Sequence, residues 1–131
     1  MVYTDFKKDN EILEKMRSGA LTLFDSEIVR LRLQGNSSTE DLQTFLKNSG
    51  FKWITLLSMM RNIALKINDA HDIQEINMMT TKINNITSIS VSRQNAERVI
   101  SMLENYMVDM QSLNNRLREK VAEHEQSSLA A

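Results

Sequence analysis

The sequence predicts an all-α fold, an elongated antiparallel helical bundle with a coiled-coil-like C-terminal helix, and three observations carry that prediction. The 131 residues include no proline and only three glycines, Gly19, Gly35 and Gly50, so little in the chain breaks a helix or turns a hairpin. Apolar residues recur at steps of three and four along most of its length. Apolar residues make up 41% and charged ones 25%, near the globular average, which indicates neither wholesale disorder nor a membrane class, and the length suits one core, so residues 1–131 are expected to form a single helical domain.

The first helix is expected over about 4–34, with Thr4 as N-cap and Phe6, Leu13, Met16, Ala20, Phe24, Ile28 and Leu31 on one face. Gly19 is a weak point within it, and Gly35-Asn36 supplies the stop. Ser37 with Glu40 matches a capping box and opens a short helix, about 38–48, that carries Leu42, Phe45 and Leu46 and closes at Asn48-Ser49-Gly50. A core helix follows over about 51–68, with Trp53, Leu56, Leu57, Met60, Ile63, Ala64 and Ile67 on a broad stripe. Residues 68–72 read equally as a turn or as continuous helix, because they hold neither glycine nor proline.

Ile73, Ile76, Met79, Ile83 and Ile86 mark the next helix, about 72–87, which the serine-rich, β-branched run Thr87-Ser-Ile-Ser-Val-Ser92 interrupts. Ser92 then caps the last long helix, about 92–123, whose heptad core positions are Ala96, Val99, Leu103, Tyr106, Met110, Leu113 and Leu117; residues 124–131 are expected to fray. At 1.5 Å per residue the first and last helices would each be about 45 to 50 Å long, hence the elongated shape.

Several function classes fall away on composition. A formal charge of −1 with no basic tail leaves no electrostatic reason to expect nucleic acid. The absence of cysteine removes disulfides, thiolate catalysis and cysteine-based zinc sites. The N-terminus MVYTDFKKDNE has no apolar signal core, and the longest apolar run, Trp53-Ile-Thr-Leu-Leu-Ser-Met-Met60, is too short to span a bilayer. The expectation is a chain made in the cytoplasm, compatible with export by an uncleaved signal. Neither a phosphate-binding glycine loop nor a nucleophile elbow is present, and the carboxylates lie at salt-bridge spacing, so neither an enzyme nor a cofactor is expected.

Three constellations remain. Asp69, His71, Asp72 and Glu75 are the nearest thing to a metal site, but His71 and Glu75 on one helical face are only two ligands, so a solvated polar turn is expected and no metal. Residues 37–67 have the outline of a helix-turn-helix, giving an alternative reading as a small regulator that binds DNA or a transcription factor, with Arg30, Arg32, Lys47, Lys52 and Arg61 as its basic face. Against it, Phe51 to Met60 offers mostly apolar side chains where a recognition helix needs polar ones. In the last helix, Ile100, Met102 and Met107 occupy positions that are usually charged in a two-stranded coil, so its stripe is wide enough to be covered on more than one side. Val99, Leu103, Tyr106, Met110, Leu113 and Leu117 are therefore the candidate seam, used for the chain's own core or for a protein partner or self-association. The nine methionines fit core filling and adaptable interfaces alike.

Ser38-Thr-Glu-Asp-Leu-Gln-Thr-Phe-Leu-Lys-Asn-Ser-Gly50 with the apolar helix after it resembles the short acidic-capped helix, glycine and apolar helix near the start of type III secretion filament and needle-tip subunits. Asp72-Ile-Gln, Asn84-Asn-Ile-Thr87 and Asp109-Met-Gln-Ser-Leu113 are similar to the C-terminal assembly helix of those subunits. The family's longer central region has no counterpart here, and the first helix has none there. The resemblance implies a non-enzymatic subunit of a type III secretion apparatus, or a helical chaperone for such subunits, acting through heptad packing.

Overall fold

The computed structural model describes residues 6–34 and 39–130, with side-chain environments through Glu125. Its elements are α1 (Lys7–Lys15), a π-helical turn (Met16–Leu21), α2 (Thr22–Gln34), α3 (Thr39–Lys66), α4 (Ala70–Thr87) and α5 (Ala96–Ala130). Among the described residues there is no strand. The expected N-cap Thr4, the stop at Gly35-Asn36 and the Ser37 half of the capping box lie outside the described residues.

α1, the π turn and α2 run end to end as one arm, and the π turn corrects the expected register. The buried residues step from Leu13 to Met16, then by five to Leu21, then to Phe24, Ile28 and Leu31. Leu21, not Ala20, enters the core, because a π turn closes its hydrogen bonds one residue later than an α turn. Side chains answer the carbonyls around it: Thr22 Oγ1 donates to Arg17 O (2.8 Å), and buried Asn114 Nδ2 donates to Leu13 O (3.0 Å).

The short helix and core helix expected on either side of Gly50 are one helix, α3. Gly50 is buried mid-helix, and a Cβ there would meet Thr87 Cγ2 of α4 at 3.2 Å; the glycine permits close approach of two helices and does not end one. Residues 68–72 contain a turn: Asn68 adopts φ 56°, a left-handed geometry asparagine tolerates, and Asp69 caps α4 by accepting from Asp72 N at 3.0 Å. α4 therefore begins at Ala70, earlier than expected, and ends at Thr87. Ser92 does cap the last helix, exchanging hydrogen bonds with Asn95 (Ser92 N to Asn95 Oδ1, 2.8 Å; Asn95 N to Ser92 Oγ, 3.3 Å). That helix continues to Ala130, past its expected end near Glu123.

Contacts between successive elements fix an up-down-up-down bundle. The arm meets α3 through Asp9–Lys66 (2.8 Å) at one end and Arg30–Asp41 (3.8 Å) at the other. α3 meets α4 through Arg61–Asn77 (3.2 Å), while Gln43 accepts from Val91 N (2.8 Å) beyond the end of α4. Tyr106 Oη of α5 donates to Met79 O of α4 (2.9 Å), and Arg32 of the arm reaches Ser101 (3.1 Å) and Glu104 of α5. At the centre Trp53 gathers Phe24 (4.8 Å between ring centroids), Phe45 (5.8 Å) and Tyr106 (5.4 Å), so one aromatic cluster ties the arm, α3 and α5. No described helix is long and apolar enough to cross a membrane.

Candidate functional site: an open groove between α2 and α3

The α5 seam is consumed by the fold. Val99, Leu103, Tyr106, Met110, Leu113 and Leu117 all have zero exposure, packed within the same cluster as the arm, α3 and α4. Ile100, Met107, Asn114 and Val121, one position along the heptad, are buried beside them, which accounts for the width of the stripe. In the folded bundle none of these side chains is presented to a partner. Five methionines (Met16, Met60, Met79, Met107 and Met110) fill the core, while Met59 and Met78 are exposed.

The Asp69–His71–Asp72 cluster is not a solvated turn, because Asp72 is completely buried. Candidate ligand atoms of Asp69, His71 and Asp72 lie within 4.8 Å of one another, but the cationic position among them is filled by the protein itself. Lys120 Nζ sits 2.6 Å from Asp69 Oδ2 and 2.7 Å from Asp72 Oδ2, and Arg116 Nε is 3.7 Å from Asp72 Oδ1. Glu75 pairs with Arg116 instead of facing His71. The hydrogen bond from Lys120, reinforced by Asp72 N–H, holds the Asp69 carboxyl below its usual range. Burial works against the Lys120 charge, but its bonds to Asp69 and Asp72 prevail and raise its pKa. The cluster is an ion-pair bolt joining the start of α4 to α5.

Of the five basic residues proposed for DNA contact, the three arginines are engaged within the bundle. Arg32 is bound to Glu97 and Glu104 on α5, Arg30 to Glu27 and Asp41, and Arg61 to Asn77. With α3 continuous through Gly50, the helix-turn-helix outline is absent as well.

The bundle leaves open a groove of about 560 Å³ between α4 and α5 and, beside the aromatic cluster, the flank between α2 and α3. Two lobes of a groove, each about 380 Å³, share Leu23, Phe24 and Lys52. The floor is Phe24 and Phe45, edges of the Trp53 cluster. One lobe is apolar, walled by Ala20, Leu23, Phe51 and Leu56, and its lips are two large apolar residues held in solvent: Phe51 is 81% exposed and Leu23 69%. The other lobe is polar, and there Arg30 bridges Glu27 (2.8 Å) on its own helix and Asp41 across the groove. The bond to Glu27 keeps the Arg30 guanidinium more firmly protonated. Lys52 stands where the lobes meet, without an anionic partner among the described residues. Sequence reasoning missed Leu23 and Phe51 as functional candidates; the available signal was that both are large apolar residues standing outside their helix's buried stripe.

No family model matches this chain, and no match is found among the curated proteins or the solved structures.

Proposed function

We propose that this chain is a non-enzymatic helical interaction protein whose working surface is the α2–α3 groove. The observation that carries the reading is the pair Phe51 and Leu23, exposed on opposite lips of an apolar lobe with an aromatic floor. Such a groove takes apolar side chains from a helical surface laid along it, and the charges of its polar lobe set the register. Catalysis is disfavoured there because Glu27 and Asp41 are surface carboxylates tied to Arg30, not a buried acid–base pair. The likeness of residues 38–50, 72–74, 84–87 and 109–113 to type III secretion subunits supports a role as a subunit of such an apparatus or as a chaperone for one. The heptads of α5 serve that role as scaffold.

A photo-crosslinking phenylalanine placed at position 51 tests the reading, with the same residue at Asn105, exposed on α5, as control. In cells making the full chain, discrete protein adducts are expected from position 51 and not from 105. No adducts at 51, or the same adducts from both positions, would overturn the assignment.

A further inference from the structure

We infer that the occupant of the groove is a second copy of this chain, related by a two-fold axis running along the groove; this rests on the α2–α3 face being the working surface. Three features of that face bear on this, two of them self-complementary. The first is shape: Phe51 projects beside the apolar lobe walled by Leu23, Ala20 and Leu56, so the face carries a knob and a hole side by side. A two-fold axis along the groove lays α2 of each copy over α3 of the other at the same height. Each Phe51 then faces the Leu23 lip of its partner, and both knobs are buried by one operation.

The second feature is charge. Each lip carries a charge of each sign, Glu27 and Arg30 on α2 and Lys52 and Asp41 on α3, and Arg30 reaches Asp41 across the groove at 3.8 Å. Under the same axis each cross-groove relation becomes a relation between copies. Lys52 thereby gains the anionic neighbour it lacks in the single chain. A heterologous partner would need its own matching pattern, whereas a second copy already has it.

The third feature is extent. The groove-lining stretch of α3 from Asp41 to Leu56 is about 22 Å long at 1.5 Å per residue. Two parallel ridges of that length form a face at the small end of specific interfaces, suited to a reversible dimer and not to an obligate one. Other exposed apolar side chains, Val29, Leu33 and Leu65 among them, line neither lobe of the groove, and Met78 lines a separate groove between α4 and α5.

Sedimentation equilibrium on the full chain, from about 1 μM to about 1 mM, is the test, since a small interface populates within that range. The wild type should pass from monomer to dimer. Phe51→Asp should remain monomeric at every concentration while keeping the wild-type circular dichroism melt, because the side chain is exposed and its loss leaves the core intact. Glu27→Lys and Lys52→Glu should each weaken dimerisation at least tenfold by placing like charges across the interface. Mixing those two variants should restore it, since in the mixed dimer both cross-copy pairs are again opposite in sign. A wild type that stays monomeric throughout, a dimer indifferent to Phe51→Asp, or a mixture no better than its components would each overturn the second copy as occupant. Crosslinks from position 51 that reach only a different protein would also overturn it while leaving the interaction surface standing; no crosslinks at all would remove both.

Discussion

The α5 stripe and the α2–α3 lips are both apolar, and the fold treats them oppositely. Along α5 a regular repeat from Ala96 to Leu117, widened by Ile100, Met107 and Val121, is completely covered by the other helices of the same chain. Between α2 and α3 two large side chains with no periodic relation to their helix's core, Leu23 and Phe51, stay in solvent. Regular spacing places side chains on one face of a helix and so reports that the face is buried, but carries no information on whose surface covers it. A single apolar residue off the stripe is ordinary, but two that flank one apolar lobe, as Leu23 and Phe51 do, form a surface that an outside partner can cover.

The sharpest way to break this contrast is to make the same chemical change on both sides of it. Leu113→Ala, at zero exposure on α5, removes buried methyl groups and leaves a cavity; the expected loss of stability is about 2 to 5 kcal/mol. Leu23→Ala, at 69% exposure, should change stability by less than about 0.5 kcal/mol. Urea unfolding followed by the fluorescence of Trp53, the single tryptophan, reads both. Equal losses would mean that Leu23 belongs to the core and the groove is closed in solution.

A second test concerns how α5 is held in place, by packing or also by charge. Lys120→Met strips the buried Asp72 of its closest cation and should cost about 2 kcal/mol, less than a fully buried pair because Lys120 is one-third exposed. The pH dependence has a defined sign. The Asp69 pKa is lowered in the folded state, so its contribution is present above the unfolded value of about 3.9 and is lost as the pH falls through the folded one. The Lys120 pKa is raised, so its contribution is present below about 10.4 and is lost as the pH rises through the folded value. The difference between wild type and variant should therefore be level across neutral pH and shrink at both extremes. A difference that grows in acid would contradict the bolt.

Much of the architecture was legible because helices announce themselves through spacing: the apolar residues of α4 and α5 and the stripe from Trp53 to Ile67 need only a period near 3.6. Four features were not. The π turn hid in one five-residue step, Met16 to Leu21, which reads as a missed beat unless a wider turn is considered. Gly50 reads as a helix end because glycine serves both at ends and at close approaches, and only the position of Thr87 on α4 distinguishes them. Asp72 looked solvated because its partner Lys120 lies 48 residues further along. The groove itself depends on α3 being continuous: two separate helices would have left Phe51 as the first residue of the second, where exposure would carry no meaning.

The smallest expected effect separates the two described glycines, both in helical segments. Glycine in a helix interior costs about 0.5 to 1 kcal/mol relative to alanine, so substitution at either position begins with a gain. At Gly19 a Cβ meets nothing within 4 Å, so Gly19→Ala should realise that gain and stiffen the arm below Leu23. At Gly50 a Cβ meets Thr87 Cγ2 at 3.2 Å, and Thr87 is not free to turn away because its Oγ1 donates to Ile83 O at 2.8 Å. Relieving the contact means separating α3 from α4 or breaking that hydrogen bond, either of which offsets the helical gain, so Gly50→Ala should show no increase in melting temperature, while Gly19→Ala shows a rise of a few degrees. A clear rise at Gly50 would mean that α3 and α4 stand further apart than their packing indicates. The aromatic floor that α3 supplies to the groove would then be looser than the α5 side of the bundle.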